Sequence, residues 1–220
     1  MYARLISLLA CSLCLCASFA FAKGDPGDGS QSGLDVYFPG MTMADAKKSG
    51  ATAAGKNAMK ATVTWGGKKW DVRLLLKGKD IAVVGLSAKL TGNDQVLTML
   101  QDMQERLAVP MVVTRMGDGE KNELNFAELA VAGKDTDARD GALKDALSTY
   151  ASQEKGSITI TFCPEAMFEE MAKAMKATGH IAQKAIMAGF GDSIVYSLHM
   201  DKKDDSITVV ASTFADIGKF

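Results

Sequence analysis

The alternation that runs from Met59 to Leu86 constrains this fold more than any other feature of the sequence. Met59, Ala61, Val63 and Trp65 fall on one parity, and Lys60, Thr62 and Thr64 on the other. Successive side chains of a strand point to opposite faces, so this pattern describes a strand with one dry face and one wet face. Gly66-Gly67-Lys68-Lys69 turns the chain. Trp70, Val72, Leu74 and Leu76 then resume the alternation against Asp71 and Arg73. A second turn, Lys77 to Asp80, leads into a third apolar run, Ile81 to Leu86. Turns this short join antiparallel neighbours only, because parallel strands need a crossover of a dozen residues or more.

Helical and strand periods then exchange along the chain. Val96, Met99, Leu100, Met103 and Leu107 share one helical face behind an Asn93 or Asp94 cap. Pro110 marks the change to a strand, MVVTRM. Asp118-Gly119 suits a hairpin tip, and Glu123 to Val131 reads as the return strand. Asp137 to Ser152 forms a second helix with Leu143, Ala146, Leu147 and Tyr150 on one side. Ile158, Ile160 and Phe162 alternate as a strand, and a long helix from Pro164 follows, ended by Gly189 to Ser193. Two strands, IVYSLHM and SITVVASTF, close the chain around the charged turn DKKDD. The predicted order is βββ-α-ββ-α-β-α-ββ, an α+β fold with an antiparallel sheet and helices packed on one face. A β-α-β-β unit would occur twice in that order, over 81–131 and 157–214. No residue-level repeat accompanies it.

The N-terminus predicts export. Arg4 precedes an apolar run from Leu5 to Phe21, and Ala20-Phe21-Ala22 offers the small-x-small pattern of a signal cleavage site, with Ala20 and Ala22 as the small residues. The expected organisation is a signal peptide over 1–22, a flexible Gly-rich leader over 23–57 and an α+β domain over 58–220. Two subdomains would meet near 132–137. Within the leader, Leu34 to Met41 is an apolar island expected to dock on the domain or form a short strand. The expected destination is the periplasm or the extracellular space, with the periplasm favoured. Net charge is −1, with acids and bases finely mixed, so no basic footprint for nucleic acid is present. Past the signal, no segment is apolar enough for a helical membrane span. A membrane barrel ending at Phe220 is also disfavoured, since Gly218 and Asp216 occupy its parity and aromatics make up only 7% of residues.

Chemistry concentrates on sulfur. Of four cysteines, Cys11, Cys14 and Cys16 lie in the signal, which leaves Cys163 alone in the processed chain. A lone exported thiol is inert and buried, reactive, or one half of a Cys163-linked dimer. Cys163, Met167, Met171 and Met175 recur every fourth residue, and soft sulfur ligands select Cu(I). Spaced about 6 Å apart along a helix, at most two could share one ion, so His180 or His199 would have to complete the site. The plainer reading makes Met167, Met171 and Met175 an inward stripe of core methionines. Cys163 ahead of Pro164 also reads as a helix N-cap, where unpaired amides and the helix dipole favour a thiolate. No second cysteine completes a CxxC, however, and Glu165 opposes a low pKa. No nucleotide-loop, metalloprotease or hydrolase motif is present, and no cofactor is implied. The leading expectation is an exported, non-catalytic binding or envelope-accessory protein with a small-molecule or protein partner. Two alternatives are a cysteine-dependent redox or hydrolytic enzyme centred on Cys163 and a Cu(I)-handling protein.

Overall fold

The computed structural model describes residues 32–117, 120–133, 136–181 and 183–216. The expected signal peptide, its cleavage site and the Asp118-Gly119 hairpin tip lie outside the described residues. The elements begin with α1 (Gly33–Val36), α2 (Met43–Lys48), β1 (Thr52–Gly55), β2 (Ala58–Trp65), β3 (Lys68–Lys77) and β4 (Asp80–Lys89). They continue with α3 (Asn93–Glu105), β5 (Ala108–Gly117), β6 (Glu120–Asn125), α4 (Phe126–Val131) and α5 (Thr136–Ser152). The chain finishes with β7 (Ser157–Pro164), α6 (Glu165–Thr178), α7 (Gln183–Phe190), β8 (Ile194–Asp201), β9 (Ser206–Thr213) and a 3-10 turn at Phe214–Asp216.

The nine strands among the described residues join one antiparallel sheet in the order β1-β2-β3-β4-β9-β8-β7-β5-β6. The architecture is the α+β sheet with packed helices that the alternation predicts. Register explains the core. Ala61 stands opposite Val72, then Leu86, Val209 and Leu198. The same row continues through Ile160, Val113 and Leu124. Directly opposed residues share a face, so this is one apolar row crossing eight strands. Leu86, Val209, Leu198 and Ile160 are buried within it.

Helices cover this face. A Cβ on Gly33 would meet Leu86 Cδ2 at 2.4 Å and Val63 Cγ2 at 3.1 Å, so α1 lies directly on the row and a larger residue there would force the Leu86 side chain to shift. The Arg106 guanidinium, at the end of α3, sits 5.8 Å from the centre of the Tyr196 ring on the same face. Arg106 donates to Asp102 Oδ2 at 2.8 Å, to Asp35 Oδ1 at 2.6 Å and to Ser32 Oγ at 3.1 Å, which ties α1 to α3. Burial opposes the charge of Arg106, but the hydrogen bonds to Asp102 and Asp35 outweigh it and raise its pKa. At the β2–β3 hairpin, Trp70 donates from Nε1 to the Trp65 carbonyl at 3.1 Å, and the two rings lie 5.4 Å apart.

Several expectations are corrected. Residues 32–57 are not a flexible leader: they form α1, α2 and β1 and bury Leu34, Tyr37, Ala46 and Ala51, while Tyr37 donates to the Ser49 carbonyl at 2.6 Å. The apolar island therefore docks on the domain, as a helical turn and not a strand. The return strand ends at Asn125, whose side chain caps α4 by accepting from the Ala127 amide. This cap explains why the alternation slips at Phe126. The long helix from Pro164 is two helices, α6 ending at left-handed Gly179, whose N–H donates to the Met175 carbonyl at 2.8 Å. The two β-α-β-β segments thread the sheet differently: β9, β8 and β7 separate β4 from β5, whereas β7 and β8 are neighbours. The fold thus gives no support to duplication.

Candidate functional site

One residue along each strand from the apolar row lies a second row, on the opposite face. Thr62 opposes Asp71, then Ser87 and Thr208. The row continues through His199, Thr159, Thr114 and Glu123. Every member is a hydroxyl, a carboxylate or the imidazole. Thr62, Asp71, Ser87 and Glu123 are exposed, and the inner four are half-buried by their neighbours. His199 Nδ1 and Thr159 Oγ1 lie 2.9 Å apart, a cross-strand hydrogen bond at the middle of the row.

The neighbouring row on this face is also short-chained. Gly85, Val210, Ser197, Thr161 and Val112 stand opposite one another on the five inner strands, with Thr161 and Ser197 hydroxyls 3.5 Å apart. Across those five strands the two rows hold no Lys, Arg, Asp or Glu and no Phe, Tyr or Trp. Charge returns at the flanks, with exposed Asp71 and Arg73 on β3 and a Lys121–Glu123 pair at 2.8 Å on β6.

The patch has two further boundaries. At one end of the strands the same face closes, and Val83, Ser212, Val195 and Cys163 are buried. At the other end lies a groove of about 760 Å³ whose lining includes Met116, Ser157 and Asp201, each two residues beyond the polar row. Lys202 and Lys203 also line it. Lys202 Nζ donates to the Ala151 and Gln153 carbonyls at the end of α5, and burial lowers its pKa.

The residues singled out by sequence fall elsewhere. Cys163 belongs to β7 and Pro164 is the residue preceding α6, so the expected N-cap is displaced by one position. The thiol has no exposed surface, and burial pushes its pKa up to about 12. This is the opposite of an activated nucleophile, and a thiol so placed cannot reach a partner's thiol while the fold is closed. Met167 and Met171 are buried in the core and Met175 is partly buried. His180 lies on the exposed segment after Gly179, its Nδ1 3.0 Å from the Thr178 carbonyl oxygen. His199 faces the polar row. His180 follows the end of α6 and His199 lies on β8, and among the described residues no cluster of three His, Cys, Asp or Glu side chains could hold an ion. Of the residues named from sequence, only His199 lies in the patch. The others there were readable as the wet parity of their strands, but their alignment depends on β4–β9 and β7–β5 pairings between distant segments.

Against protein-family models, curated proteins and solved structures, the chain has no match.

Proposed function

We propose that this chain is an exported, non-catalytic binding or envelope-accessory protein that engages its partner through the open face of the sheet. The charge-free, solvent-accessible patch on the five inner strands carries the reading. Charged residues are depleted at the core of interfaces, as they are on these two rows, although the aromatic anchors that protein interfaces also favour are absent here. Short hydroxyl side chains also lose little rotamer entropy when covered, unlike the lysines and glutamates that usually solvate an exposed sheet. Export rests on the Arg4 to Ala22 sequence alone. A cysteine enzyme is not favoured, because the Cys163 thiol is buried and its ionisation is disfavoured.

Cell fractionation with mass measurement of the processed chain tests both parts. The expected result is a chain beginning near Lys23 that partitions with the envelope, and a Thr159→Lys/Thr208→Lys variant that folds but is released. An unprocessed chain retained in the cytoplasm would remove the export reading. A lysine variant that stays with the envelope would remove the binding face.

A further inference from the structure

Resting on the reading of the open face as a binding surface, we infer that its ligand is a linear, uncharged, hydroxyl-rich polymer: a glycan strand. Size makes the first case. Five strands about 4.8 Å apart and two rows about 7 Å apart give a footprint on the order of 300 Å². A stable protein–protein interface needs roughly 800 Å² from each partner. The patch is too small for a globular partner, and for a second copy of this chain, but it suits a narrow chain.

Shape makes the second. Neighbouring strands rotate by roughly 20–25°, so a row across five strands turns through about 80–100°. A flexible linear ligand can follow such a curved track, whereas a rigid flat surface cannot.

Chemistry separates the linear candidates. An extended peptide gains its affinity by pairing its backbone with a free sheet edge. On the inner strands that opportunity is gone, because β4, β9, β8, β7 and β5 each have a neighbour on both sides. A polyanion such as a nucleic acid would need cations beneath it, and the two inner rows have none. A glycan offers both donors and acceptors all along its length. Thr208, Thr159 and Thr114 hydroxyls can each donate and accept, and the ring of His199 adds a further polar edge. The groove beside Ser157 and Asp201 runs alongside the polar row, where Glu120, Glu154 and Lys155 bring charge back and bound the uncharged track.

Cosedimentation of the processed protein with amorphous swollen cellulose, amorphous chitin and purified peptidoglycan sacculi, whose sugar chains are not locked into flat crystalline sheets, tests the inference. Cellulose and chitin present uncharged sugar chains alone, while sacculi add charged peptides. Wild type and the conservative Thr159→Ser/Thr208→Ser variant are expected to sediment with at least one uncharged glycan. Thr159→Lys/Thr208→Lys, matched for thermal melting, should bind at least tenfold more weakly. Equal binding by wild type and the lysine variant would overturn the inference, since the sugar would then sit elsewhere. Binding to sacculi alone would overturn it too, by pointing to the peptides. If wild type sediments with no glycan, the ligand class is wrong; should the lysine pair still release the chain from the envelope, the open face survives as a binding surface without it.

Discussion

Two rows of side chains cross the same eight strands one residue apart, and they differ in almost everything else. Leu86, Val209, Leu198 and Ile160 form the middle of one; Ser87, Thr208, His199 and Thr159 form the middle of the other. The first is buried under helices and supplies the free energy of folding, at about 25 cal/mol per Å² of apolar surface removed from water. The second remains at least partly open to solvent and contributes little to stability. A single sheet thus separates holding the fold together from meeting a partner, and a substitution can probe one without disturbing the other.

The largest effect is expected on the covered row. Leu86→Ala should cost about 2–5 kcal/mol in a denaturant titration, because Leu86 has no exposed surface and the cavity cannot easily collapse beneath α1. A loss under about 1 kcal/mol would mean that the helices do not close over this face as described.

A pH-dependent effect, absent at neutral pH and confined to alkaline solution, is expected where the open face ends, at Cys163. Burial holds the folded thiol near pKa 12, while an unfolded thiol ionises near 8.5. The unfolded chain therefore releases its proton first as pH rises. The stability contributed is fully present below about pH 8.5 and falls towards pH 12, by about 1.4 kcal/mol per pH unit at most. Cys163→Ala should flatten this slope in alkaline unfolding curves. Thiol reagents should label native Cys163 only as fast as the protein opens. Rapid labelling at pH 6 would contradict the burial and restore the enzyme reading.

The smallest effect belongs to the polar row. Thr208→Ala should change the unfolding free energy by no more than about 0.5 kcal/mol. A loss near 2 kcal/mol would show the row to be structural, which would weaken its assignment as a binding face.

Much of this division is legible in the sequence. The parity of β2, β3, β7 and β9 states which residues are dry and which are wet, because strand period 2 is unambiguous over six or more residues. The helix faces of Met99, Met103, Met167 and Met171 are equally plain, and all four are buried. Other features depend on contacts that no local pattern contains. Residues 32–57 look like a leader because they are rich in small and polar residues. They are held by Gly33 on Leu86, Tyr37 on Ser49 and Arg106 on Asp35, all distant in sequence or specific in geometry. Neither the composition of the wet residues nor their spacing reveals the patch, which exists only once β9 inserts between β4 and β8. Cys163 misled for a related reason: its place before Pro164 resembles a cap, but β7 extends one residue further and carries the thiol into the closed end of the face.

Cysteine labelling in a Cys163→Ala background tests the contrast between the faces most directly. Thr159→Cys and Thr208→Cys place thiols on the open row, and Ile160→Cys places one a single residue away on the covered row. Maleimide should modify the first two quickly in the purified protein and slowly in the presence of the envelope fraction, and should hardly modify the third in either. If Thr159→Cys reacts no faster than Ile160→Cys, the open face is not open. If it reacts equally fast with and without the envelope fraction, nothing binds there.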